Sequence, residues 1–280
     1  MTLSVTRQSR TTQELRGIAK RLRLYALTGA AGKGEAYIGQ ALQTAELFAV
    51  LCFDEMRWHP EKKADRTADH FILSVGHYAL SYYAMLAEYG LLSEEDLADY
   101  GSDGSPLTLG TEPGHVPGIE FAGGSLGQGL GFATGLALGQ RVQKLPGRVF
   151  NYMSDGETQE GTTWEAAMIA GHHQLSNLYC IVDVNRTQAD GELVIEVEPL
   201  TEKFEAFGWW AVNVDGHDVE AIRKAFADAG QQSAGRPVAI IASTNLGQGS
   251  ILLTERTNAH FVRVAAKEWE LVRKEIETSL

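Results

Sequence analysis

Apolar residues recur along this chain in two ways: every three or four positions over long stretches, and in short continuous runs between them. That is the pattern of helices laid against a buried sheet. The continuous runs are Phe71-Ile72-Leu73, Val149 to Met153, Leu178 to Val184, Trp209 to Val214 and Val238 to Ser243. Each is short and rich in β-branched or aromatic residues, so each predicts a buried strand. Helical spacing predicts helices over Thr12 to Leu27 (ending near Gly29), Tyr78 to Gly90, Leu130 to Val142, Trp164 to Gly171, Leu200 to Phe207, Val219 to Ala229 and Phe261 to Glu277. Ala41 to Phe53 is apolar nearly throughout and predicts a helix buried on most sides. Gly32, Gly34 and Gly39 suggest a loop before it, and Ser93 with its acidic followers a capped helix start. Strands alternating with helices, without a tandem repeat or linker, predict one doubly wound α/β domain with a parallel sheet over residues 1–280.

The stretch from Arg148 to Gly191 organises that sheet. A strand breaks at Ser154-Asp155-Gly156, a helix with small residues crosses over, and the next strand ends in Asn185. A right-handed crossover places Asp155 and Asn185 at the same sheet edge, where open α/β sheets bind ligands. Both side chains offer oxygen, which hard divalent cations prefer, and magnesium commonly adds substrate phosphates to a few protein groups. A metal and diphosphate site is one reading of these residues; a simple turn followed by a loop cap is the other.

Charge narrows the partners. The formal net charge is -12 and no long basic cluster occurs, which argues against a nucleic-acid groove or an anionic membrane surface. Small molecules or proteins remain. Cys52 and Cys180 lie in apolar runs and read as buried thiols of a reducing compartment. No signal peptide or membrane-length apolar stretch is visible, so a cytoplasmic, soluble protein is expected. His77, His115 and His260 sit in or beside glycine-bearing loops and are candidates for a polar site, whereas His59, His70, His172 and His173 read as ordinary. Zinc spacing is lacking, and no Ser-His-Asp elbow is visible. The long Gly/Pro segment from Gly101 leads into Gly123-Gly124-Ser125-Leu126-Gly127-Gln128-Gly129, where main chain can approach a ligand closely. Its glycine spacing is not the dinucleotide fingerprint.

Taken together, Ser-Asp-Gly-Glu-Thr-Gln-Glu-Gly from Ser154 followed by Asp183-Val184-Asn185 resembles the thiamin diphosphate motif of transketolases. Leu73-Ser74-Val75-Gly76-His77, Pro113-Gly114-His115, Gly124-Ser125-Leu126-Gly127-Gln128-Gly129 and Val214-Asp215-Gly216-His217-Asp218 resemble further motifs of that family in the same order. The likeness runs along almost the whole chain and corresponds to the family's amino-terminal, diphosphate-binding half. It implies a thiamin diphosphate-binding fold, and transfer of a two-carbon ketol unit from a ketose to an aldose. It implies that Asp155, Asn185 and the main-chain carbonyl of Thr187 ligate magnesium or calcium, and that Gly156 and His77 touch the diphosphate. Gly124 and Leu126 would meet the aminopyrimidine through main-chain groups. Glu160 would lie near a subunit interface. His115 and His260 would face the reacting carbons.

The chain also departs from the family. Glu35-Ala36-Tyr37-Ile38-Gly39 stands where a Ser-Gly-His-Pro-Gly loop is expected, so Tyr37 replaces a histidine that would contact the donor. Ser154 replaces the first glycine of the central motif, and Val184 the first asparagine of the pair. The resemblance further implies a separate pyrimidine-binding, carboxy-terminal subunit that carries the activating glutamate, the two chains forming a heterotetramer. Transfer to another acceptor, which Tyr37 keeps open, and a non-catalytic cofactor-binding subunit are the alternatives.

Overall fold

A computed structural model describes residues 9–61, 65–189, 191–256 and 260–279. In chain order its strands are β1 (Glu35–Ala36), β2 (His70–Leu73), β3 (Val149–Ser154), β4 (Leu178–Val184), β5 (Thr187–Gln188), β6 (Gly191–Glu192), β7 (Trp210–Asp215), β8 (Val238–Ser243) and β9 (Val262–Arg263). Five form a sheet in the order β2-β3-β4-β8-β7, every neighbouring pair parallel. The five runs expected to be strands are those five.

Successive side chains of a strand point to opposite faces, and both faces here are covered. On one, Phe150, Tyr152, Ile181 and Ile240 pack beneath α1 (Thr12–Lys33), α2 (Ile38–Gln43), α3 (Ala45–Val50) and α4 (Ala79–Glu88). The short α5 (Glu94–Ala98) flanks α1. On the other, Val149, Met153, Cys180, Val182 and Ile241 meet α6 (Gly129–Val142), α7 (Gly161–His172) and α8 (Leu200–Ala206). Helices α9 (Val219–Gln232), α10 (Ile251–Thr254) and α11 (Ala266–Thr278) join the first layer. Burying these faces supplies the driving force, at roughly 25 cal/mol per Å² of apolar surface. Both cysteines are buried and free, and burial pushes the Cys180 thiol up to about 12. Among the described residues no helix is long and apolar enough to cross a membrane.

Three boundaries differ from the sequence reading. Helix α1 does not stop near Gly29 but runs to Lys33, where Gly34 closes it at φ 81°. Gly32 is inside the helix because α5 lies against it: a Cβ there would sit 2.2 Å from the Ala98 carbonyl oxygen. The apolar stretch from Ala41 is not one helix. It breaks at Thr44, whose hydroxyl bonds Ser81 Oγ at 2.9 Å, and it ends in a π-turn at Leu51–Glu55. The closing helix starts at Ala266, because Val262 and Arg263 pair antiparallel with Ala36 and Glu35. Arg263 Nη2 adds an ion pair to Glu35 Oε2 at 2.5 Å.

Candidate functional site

Register brings the key loops to one edge. Ser154 pairs with Asp183 and Leu73 with Tyr152, so β2, β3 and β4 end almost level. The residues that follow them form a cleft of about 330 Å³. His77, Asp155, Gly156 and Asn185 line it, with Gly124 and Leu126 from the glycine-rich segment and Thr187 and His260 on its wall.

A buried acid locks three loops together around this cleft. Glu157, fully buried, accepts hydrogen bonds from the Ser74 hydroxyl, from the Gly127 N–H at 3.0 Å and from the Ser154 N–H at 3.1 Å. Burial raises its carboxyl above the ordinary range. The loops bearing His77 and Gly124 also meet directly. A Cβ on Gly76 would lie 2.3 Å from the Gly123 carbonyl carbon, so only glycine permits this approach.

The floor is acidic, and its carboxylate has the charge of Arg186 in reach but no ion pair among the described residues. Asp155 is 1% exposed. Its Oδ1 accepts from the Gly156 N–H at 2.9 Å, and its Oδ2 from the Arg186 N–H at 2.7 Å. Burial pushes its carboxyl up to about 7, and among the described residues no Lys or Arg side chain pairs with it. Asn185 Oδ1 accepts from the Thr187 N–H at 2.8 Å, while Nδ2 donates to Tyr78 Oη at 3.0 Å. One carboxylate, one amide oxygen and nearby main-chain carbonyls make an oxygen-donor set that suits magnesium or calcium, and a cation would relieve the buried charge. No cluster of three or more His, Cys, Asp or Glu able to hold a metal occurs among the described residues, so a zinc-type centre does not fit.

The rim is aromatic. Tyr37 lies 4.9 Å from His77, 5.5 Å from His260 and 4.8 Å from Phe261 between ring centroids. Burial, with His260 nearby, holds His77 down at about 3, and burial also lowers His260. Both imidazoles are therefore neutral at physiological pH. Gln40 Nε2 donates to the His260 carbonyl at 2.8 Å and fixes that segment. His115 lies outside the cleft lining, exposed, with Nε2 3.6 Å from Glu112. Glu160 is also exposed and caps α7, with its Cβ against Gly127. Tyr37, His77 and His260 are thus brought together, and His115 and Glu160 are not.

The family description "Transketolase, thiamine diphosphate binding domain" matches residues 16–278. The chain belongs to the transketolase family. An uncharacterized transketolase family protein of Sinorhizobium fredii is 43% identical over 253 residues, covering 90% of this chain and 91% of the relative. The 6-deoxy-6-sulfo-D-fructose transketolase subunit SqwG of a Clostridium species is 32% identical, covering 87% and 89%. Human transketolase is 38% identical, covering 89% of this chain but 40% of its own length. Among solved structures, transketolase of Campylobacter jejuni superposes with a TM-score of 0.87 at 26% identity, covering 96% of this chain and 43% of that one. The chain is thus as long as two short relatives and spans about two-fifths of the full-length transketolases. Its α/β thiamin diphosphate-binding fold is that family's.

Several residues of this transketolase-family site escaped the sequence reading. Glu157 was signalled by its Ser-x-x-Glu spacing from Ser154, a capping box across the turn. Tyr78 and Gln43 gave no such signal, because each lies in a stretch that reads as core, and Asp183 was read only as part of the Asp183-Val184-Asn185 motif.

Proposed function

We propose that this chain is the diphosphate-binding subunit of a two-chain transketolase that transfers a two-carbon ketol unit from a ketose to an aldose, with thiamin diphosphate and magnesium or calcium. The observation that carries the proposal is the buried Asp155 carboxyl, without an ion-pair partner among the described residues, beside Asn185 and Thr187, under His77 and His260, at the carboxyl edge of a transketolase-type sheet. In its role, Asp155, Asn185 and the Thr187 carbonyl hold the cation, and Gly156 and His77 hold the diphosphate. Main-chain groups of Gly124 and Leu126 seat the aminopyrimidine. When bound, the cofactor supplies the nucleophilic carbon and the electron sink of the reaction. His260, as a neutral imidazole on the rim, donates or accepts a hydrogen bond at substrate oxygens without bringing charge, and Tyr37 does so through its phenol; such groups contribute roughly 10²- to 10⁴-fold. His115, on the exposed segment outside the cleft, is assigned to the same substrate oxygens on the family resemblance alone, and Glu160 likewise to a contact with another subunit.

The name of the Clostridium relative, a transketolase subunit that this chain matches over 89% of that relative's length, supports a separate pyrimidine-binding partner, with the pair assembling as a cytoplasmic heterotetramer on sugar or sugar-phosphate substrates. Calorimetric titration of thiamin diphosphate with magnesium into the purified chain tests the core of the proposal. Binding should require the metal, and Asp155→Ala should weaken it by at least about 100-fold. Equal affinity in the two proteins would refute the metal assignment.

A further inference from the structure

Tyr78 is fully buried at the start of the helical segment after His77, and its ring belongs to the apolar layer. Its hydroxyl is nevertheless the junction of a polar chain running under the cleft floor. Asn185 Nδ2 donates to Tyr78 Oη at 3.0 Å, and Gln43 Nε2 donates to the same oxygen at 3.1 Å. Gln43 Nε2 also reaches the Asp183 carboxylate, and burial, with the Asp183 charge nearby, raises the Tyr78 hydroxyl. Asp183, also fully buried, is held by Gln43 Nε2 at 2.8 Å, Tyr152 Oη at 3.1 Å and the Thr244 hydroxyl. Its carboxyl is raised by burial and lowered by those donors, with the net direction upward.

The chemistry of an asparagine makes this chain consequential. Its two ends have the same shape and opposite hydrogen-bonding character, so only its partners decide which end points where. At Asn185 the two partners agree: Thr187 N–H requires the oxygen on one side, and Tyr78 Oη takes an N–H on the other. An amide turned over would present its NH₂ to a cation and leave the Thr187 N–H facing another donor. Thr187 belongs to a short, partly exposed hairpin strand, whereas Tyr78 is anchored in the core through Gln43, which is itself held by Asp183. Of the two partners, the buried one is the fixed reference.

We infer that Tyr78 is a positioning residue for the metal: through its hydroxyl, with Asp183 and Gln43 behind it, it holds Asn185 with the carbonyl oxygen available to a divalent cation. The inference rests on the proposed cation site and deepens it. Outer partners of metal ligands typically carry about 10- to 100-fold of metal affinity, although they never touch the ion.

Tyr78→Phe tests it, since one oxygen is lost and the ring remains in the core. Thiamin diphosphate binding to the full chain is followed by calorimetry at a series of free magnesium concentrations. The magnesium required for half-maximal uptake should rise about 10-fold or more. Affinity for thiamin diphosphate should return to the parent value at saturating magnesium. Far-ultraviolet circular dichroism and the thermal midpoint without ligands establish that the variant is folded. An unchanged magnesium requirement would overturn the inference, and so would a loss of affinity that saturating magnesium does not restore, because that signals general loosening. If the parent chain shows no metal-dependent uptake at all, the cation site itself falls, which is a different failure from a parent and a variant that bind alike. A Tyr78→Phe protein that does not fold is replaced by Gln43→Leu, which removes a neighbouring link, and the same two magnesium outcomes decide.

Discussion

At the amino end of β2 and β3, the buried Asp69 and Glu55 carboxylates form ion pairs with the guanidinium of Arg148; at the carboxyl end of β3, the equally buried Asp155 feels the charge of Arg186 but forms no ion pair among the described residues. Asp69 accepts from the Arg148 N–H and the Arg57 N–H, both at 2.9 Å, and pairs with Arg148 Nη2 at 2.8 Å. Arg148 also lies over the Phe150 ring at 4.7 Å. That end is electrically closed, so its acids serve the fold. The other end leaves a carboxylate whose burial cost is offset only in part, by two main-chain N–H groups and the charge of Arg186, so a cation arriving from outside would stabilise it further. Burial alone does not distinguish a structural acid from a functional one. The ion pair does.

Three measurements press on that contrast. The largest effect is expected at the closed end. Asp69→Asn should destabilise the chain by about 3 kcal/mol in urea denaturation, because it leaves a mostly buried guanidinium short of a partner. A loss under about 1 kcal/mol would show that Glu55 alone balances Arg148 and that the closed end is overbuilt. A smaller effect is expected on the rim. His77 is held at about 3, below its usual 6.5, so it is neutral in the fold and takes up a proton on unfolding in between. Its contribution to stability should therefore fall as pH drops from 6.5 towards 3, by up to about 1.4 kcal/mol per pH unit, and be level above 6.5. Denaturation at pH 7, 6 and 5 should show a shallower decline for His77→Phe than for the parent, and parallel declines would contradict the neutral imidazole. The smallest effect is expected at the open end. Asp155→Asn should leave the unliganded chain within about 1 kcal/mol of the parent, since the amide gives up an acceptor but escapes the cost of a buried charge. Destabilisation as large as that of Asp69→Asn would erase the difference between the two ends.

The sheet and the floor of the cleft were legible because they depend on local patterns. Continuous apolar runs mark strands buried on both faces, and the turn at Ser154-Asp155-Gly156 and the loop at Asn185 punctuate two of them. What was hidden depends on tertiary proximity. Gly32 reads as a loop residue until α5 is seen lying on it, since a glycine permits a turn and a close helix contact equally well. Val262 and Arg263 read as helix because their partners, Ala36 and Glu35, lie more than two hundred residues away. Tyr78 and Gln43 are the sharper case. A phenol and an amide within apolar helices look like packing, and only the folded chain brings their polar ends together beneath Asn185.

The backbone contact between Gly76 and Gly123 has one more consequence. Because two main chains touch there, the gauge between the His77 loop and the Gly124 loop is set by the bulk of the peptide unit, which no substitution elsewhere can alter. The aromatic edge above has no such constraint, for Tyr37 and Phe261 meet through rings that can be exchanged one at a time. The protein thus separates a fixed jaw from a replaceable one, and an exchange at Tyr37 or Phe261 leaves the Gly76–Gly123 contact in place.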